Sequence, residues 1–102
     1  MAKPDLEKVY AGDINEIIAA MLCDASFYRM NGIVEATKHG LKEKAITRQI
    51  ENLVNDKTGA LSLRGGYTVS DFAIAALDVL GIEKYTGDEE NIKAIIQSKF
   101  EF

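Results

Sequence analysis

Cysteine occurs once in the 102 residues, at Cys23, so the chain can close no disulfide within itself and offers no cysteine cluster to a metal. Lying between Leu22 and Asp24 at the end of an apolar run, Cys23 reads as a small buried hydrophobe. Tryptophan is absent, and histidine occurs once, as His39. One imidazole and one thiol give a nucleophile–base pair no third group to orient it. We therefore expect a protein that is not an enzyme, with no cofactor and no metal site. His39, beside Gly40, suits a hydrogen-bonding or capping role at a helix end. Gly65-Gly66 lacks the Lys-Ser/Thr context of a phosphate loop. No apolar run approaches the ~20 residues that cross a bilayer, and the opening MAKPDLEKVY has no apolar core of the secretory kind. The expectation is a cytoplasmic chain with no membrane partner.

Apolar residues make up 47% of the chain, enough to fill the core of one domain covering residues 1–102. The net charge of -4 conceals a pattern. Residues 1–24 carry two bases against five acids, residues 25–64 seven against four, and residues 65–102 three against seven. A basic middle between acidic ends fits either an anionic partner for the middle segment or complementary faces of one domain neutralising each other.

The clearest local pattern is GYTVSDFAIAALDVLGI, Gly66–Ile82, which we take as the helix around which the chain is arranged. Val69, Phe72, Ala73, Ala76, Leu77 and Leu80 fall on one helical stripe. Thr68 and Asp71 have capping-box spacing, and Tyr67 and Phe72 are placed to form a hydrophobic staple. Gly81 is placed for a left-handed C-terminal turn, with Ile82 folding back. Before it, Pro4–Tyr10 gives one or two turns, and Asp13 and Glu16 open a helix ending near Asp24. A further helix runs over Ser26–His39, with Gly32 permitting close approach of a neighbour. The next spans Lys42–Asn55, with Ile46, Ile50, Leu53 and Val54 inward and Lys44, Arg48, Glu51 and Asn55 outward. Lys57–Gly66, in which Leu61 and Leu63 alternate with polar residues, is a loop or a short hairpin. Asp88 is expected to cap a last helix with the stripe Ile92, Ile95, Ile96 and Phe100. The fold class is all-α.

Residues 26–55 slide onto 67–101 so that Gly32 meets Ala73, Ile33 meets Ile74, and Gly40-Leu41 meets Gly81-Ile82. After an insertion, Ile46 meets Ile92, Ile50 meets Ile96 and Val54 meets Phe100. IIAAMLCD, closing at Asp24, parallels QIENLVND, closing at Asp56. With these aspartates, the first-helix patterns RMNGIVEATKHGL and VSDFAIAALDVLGI, and Arg29 at a basic position that Ser70 replaces in the second unit, the chain resembles HEAT-repeat proteins. The resemblance implies a short stack of antiparallel helix pairs, about two and a half repeats of roughly 41–46 residues, whose second helices line one face. It also implies a non-catalytic protein-binding module, an adaptor or inhibitor such as an immunity protein, acting as a monomer or weak homodimer. Its docking face would comprise Lys44, Arg48, Glu51, Lys93 and Gln97.

A second resemblance attaches to GLKEKAITRQIENLVND, Gly40–Asp56, which is similar to the recognition helix of winged-helix transcriptional regulators. LSLRGGYTVSD would then be the wing. This likeness implies a DNA partner, contacted by Lys42, Lys44, Thr47, Arg48 and Arg64, with Lys57 and Arg64 against phosphates.

Overall fold

The Gly66–Ile82 pattern forms a helix, Val69–Val79, whose two ends are built as the residues imply. The structure, a computed structural model, describes residues 3–59 and 66–101. The Thr68 hydroxyl accepts from the Asp71 N–H at 3.1 Å, and the Asp71 carboxylate accepts from the Thr68 N–H at 3.0 Å. Tyr67 meets Phe72 edge-on, with ring centroids 5.8 Å apart, and this contact is the staple. At the other end Gly81 adopts φ +76°, so that the Ile82 N–H reaches back to the Leu77 carbonyl at 2.8 Å. Gly40 repeats the device at φ +64°, with the Leu41 N–H on the Ala36 carbonyl at 2.9 Å. Both turns need the left-handed conformation that glycine takes without a Cβ penalty.

The described residues contain six helices and no strand: α1 (Leu6–Tyr10), α2 (Ile14–Met21), α3 (Ser26–Lys38), α4 (Lys44–Asn52), α5 (Val69–Val79) and α6 (Glu90–Ser98). None is long and apolar enough to cross a membrane. Asp13 caps α2 by accepting from the Glu16 N–H, but Glu16 does not reciprocate; its carboxylate takes the Asp5 N–H at 3.2 Å and ties α1 to α2. The loop or hairpin expected over residues 57–66 falls largely outside the described residues, Leu61, Leu63 and Arg64 included. Two ends of α6 differ from expectation. Asp88 does not cap it: Glu89 is the N-cap residue and its side chain makes no capping bond. Phe100 lies beyond the helix, which stops at Ser98 because Lys99 and Phe100 turn left-handed at φ 54° and 64°. That turn folds the Phe100 ring back onto Phe72, 5.8 Å away, where it is fully buried.

The packing gives α3 a place as central as that of α5: α5 lies against α3, α4 and α6, and α3 against α1, α2 and α5. Asn31 through Thr37 are all buried, so this stretch of α3 is enclosed on every side, chiefly by α1, α2 and α5. Its polar residues are satisfied locally: Asn31 Nδ2 donates to the Phe27 carbonyl and the Thr37 hydroxyl to the Ile33 carbonyl, each at 2.8 Å. Gly32 allows the close approach of α2. A Cβ there would stand 3.1 Å from both the Ile17 carbonyl oxygen and the Met21 nitrogen, and 2.7 Å from Met21 Cγ. α4 rests on α2 and α5, while α3 and α4, neighbours in sequence, make little close contact. α5 and α6 do pack closely. The radius of gyration is 12.2 Å, close to the ~13 Å of a folded chain of this length.

Candidate functional site

α4 carries the charged row predicted from sequence. Ile46 and Ile50 are fully buried beneath it, and Lys44, Arg48 and Glu51 project from the opposite side, exposed at a four- and three-residue spacing. None of the three has an ion-pair partner among the described residues. Asn55 lies beyond α4, which stops at Asn52 rather than at Asn55 as expected, and lines a cleft of about 320 Å³. Val54, Ile74 and Leu77 give that cleft its apolar lining and Tyr85 its aromatic one. Lys42 is also exposed, whereas Thr47 is half-buried and its hydroxyl turns back to the Lys44 carbonyl at 3.3 Å.

Lys93 and Gln97 are exposed on α6, which packs on α5 and makes little close contact with α4. They line a second cleft of about 320 Å³ together with Asp78, Lys84 and Tyr85. Lys84, Tyr85 and Gly87 border both clefts, so the connection between α5 and α6 stands between the two halves of the predicted face.

That connection is held by Tyr85, which sequence reasoning passed over as one tyrosine among four. The Tyr85 N–H donates to the Asp78 carboxylate at 2.8 Å, and the Tyr85 hydroxyl oxygen accepts from the Glu89 N–H at 2.9 Å, supplying the cap that α6 otherwise lacks. A Cβ on Gly87 would collide with the Tyr85 hydroxyl, so the tight turn requires glycine there. The only advance signal was indirect: Gly87 and a run of acids mark a helix start, and Tyr85 lies just before it.

The densest polar cluster centres on Arg29. Its Nε donates to Asp56 Oδ2 at 2.9 Å, one terminal nitrogen donates to the Cys23 and Asp24 carbonyls at 2.8 and 2.7 Å, and the other donates to the Thr58 hydroxyl at 2.8 Å. One guanidinium thereby joins the end of α2, the start of α3 and the segment after α4. Asp56 Oδ1 in turn accepts from the Thr58 N–H and hydroxyl. Partial burial pushes the Asp56 carboxyl upward, but the Thr58 bonds and the Arg29 charge outweigh it and hold the carboxyl below its ordinary value. Ser70, aligned with Arg29 in the internal repeat, donates to the Val54 carbonyl at 2.6 Å. Both residues therefore satisfy carbonyls at the end of the preceding helix. The Asp56-Lys57-Thr58 turn was the available signal for this cluster, since an aspartate readily accepts from the N–H two residues on.

His39 bonds the Tyr10 carbonyl at 3.0 Å through Nε2, which must donate because a carbonyl only accepts. The same nitrogen lies 3.7 Å from Glu35 Oε1. The ring thus fastens the end of α3 to the end of α1. Among the described residues no three His, Cys, Asp or Glu side chains converge as metal ligands would. Comparison with protein-family models, with curated proteins and with solved structures finds no match to this chain.

Proposed function

We propose that this chain is a non-catalytic protein-binding module that docks through α4 and the cleft at its C-terminal end. One juxtaposition carries the reading: the unpaired row of Lys44, Arg48 and Glu51 runs, through Asn55, onto the rim of the cleft formed by Val54, Ile74, Leu77 and Tyr85. An apolar recess that takes an anchoring side chain, bordered by polar groups that set register, is the usual anatomy of a protein interface. Lys93 and Gln97 extend the surface across Tyr85 to the second cleft. The HEAT-like stack is part of the proposal. It is supported by the matching Gly40-Leu41 and Gly81-Ile82 turns and by the shared role of Arg29 and Ser70. The loose α3–α4 pairing is its weakest joint.

The exposure of Lys42, Lys44 and Arg48 favours a second reading, DNA binding by a winged-helix regulator, although Glu43 and Glu51 on the same helix oppose phosphate contact. Titrating mixed-sequence duplex DNA at low salt separates the two. The docking proposal expects no binding at micromolar protein; binding that vanishes with Arg48→Ala would replace it. A photo-crosslinking residue placed at Arg48, with a control at exposed Asn15 on α2, completes the test. The expected result is a discrete protein adduct from the α4 position alone, abolished by Lys44→Glu; equal labelling from both positions, or none, would overturn it.

A further inference from the structure

We infer that the groove at the α2–α3 corner is a two-fold contact between copies of this chain. The groove encloses about 340 Å³ and presents the apolar atoms of Pro4, Ala19, Leu22 and Ala25, with Lys3 and Asp24 as its charges. Leu22 is 59% exposed, the most exposed large hydrophobic side chain among the described residues, and Phe27, at the start of α3, is 40% exposed. An apolar side chain set against an apolar groove, with small alanines on either side, marks a surface that gains from being covered.

The charges indicate what covers it. Lys3 has no carboxylate partner and the Asp24 carboxylate no cation among the described residues; Lys3 Nζ lies only over the Tyr28 ring, 5.9 Å from its centroid. A foreign partner would have to present the opposite charges in matching order. A second copy does so when the two-fold axis runs between these charges, which sets Lys3 of each copy against Asp24 of the other and brings the two apolar linings together. The contact is small, so it forms a weak, closed dimer rather than an obligate one. It does not involve α4, and its test is independent of the docking proposal.

Sedimentation equilibrium of the full chain over roughly 10 µM to 1 mM should show monomer and dimer alone, the range expected of a small interface. Leu22→Asp should raise the dissociation constant by about tenfold or more. Because Leu22 is exposed, the thermal melt of that variant should match the wild type at low concentration. Lys3→Glu and Asp24→Lys should each weaken the dimer, and the double variant should recover to within about twofold of wild type, since exchanging the charges restores the cross-axis pairs. A chain that stays monomeric at 1 mM, a dimer indifferent to Leu22→Asp, a double variant no better than the singles, or growth beyond the dimer would each overturn the inference.

Discussion

Arg29 shows how much of this molecule can depend on one side chain. Its side chain and that of Asp56 are 13% and 18% exposed; removing Arg29 strands its acceptors at residues 23–24 and 56–58, and removing Asp56 strands Arg29 Nε and the Thr58 N–H and hydroxyl. Arg29→Ala should lower stability by about 2–3 kcal/mol, measured by urea unfolding. Asp56→Asn adds a test in pH. The folded carboxyl titrates below its ordinary value, so its contribution is complete above the ordinary aspartate range near pH ~3.9 and is lost as pH falls through the lower folded value. The stability gap between wild type and Asp56→Asn should therefore be constant from pH 7 to about 5 and shrink below about 4; a gap that widened in acid would contradict the assignment. Sequence reading marked Arg29 and Asp56 separately, as repeat positions. Their pairing was illegible because they lie 27 residues apart and no periodicity links them.

At the scale of the element, α5 and α3 were both legible as helices, but the full enclosure of α3 was not, for a physical reason. The signals of α5 are local: a capping box, a staple and a glycine turn, each within a few residues of the helix end it specifies. In α3, Asn31 and Glu35 share a side that looks like a solvent face, yet both are buried, as is Thr37 on the other side; Asn31 and Thr37 bond carbonyls one turn back in their own helix. Gly32 was the clue to α3, and it can be tested. Gly32→Ala gains up to about 1 kcal/mol in helix propensity but pushes its new Cβ against the Ile17 and Met21 backbone atoms of α2, at a cost of about 1–3 kcal/mol. The expected net result is a lower melting temperature. Tyr85→Phe probes the start of α6 in the same way: loss of the acceptor for the Glu89 N–H should cost about 0.5–1 kcal/mol in denaturant unfolding while leaving the ring contacts in place.

Across the whole molecule, the predicted binding residues came out on the surface, but not on one continuous face. Lys44, Arg48 and Glu51 share a side of α4 because helical spacing places them there. Lys93 and Gln97 were joined to them through an assumed regular stack, and in the structure the 83–87 connection separates the two groups. Such a connection carries no repeat signal, so the sequence could not place it. Charge reversal at Lys44 and Arg48 should change stability by less than about 0.5 kcal/mol, because neither side chain has an intramolecular ion pair to lose. A larger loss in thermal melts would show that α4 spends these charges on its own fold.

The enclosure of α3 has a consequence for how the molecule opens. Its amides cannot meet solvent unless α1, α2 and α5 part together, whereas α6 rests closely on α5 alone and can peel away by itself. Hydrogen exchange should therefore be graded: α6 amides exchange through a partial opening that Tyr85→Phe accelerates, and residues 31–37 exchange only at the rate set by global unfolding. The helix with the least conspicuous sequence would then be the gauge of the whole protein's stability, and the helix beside the second cleft the first to come loose.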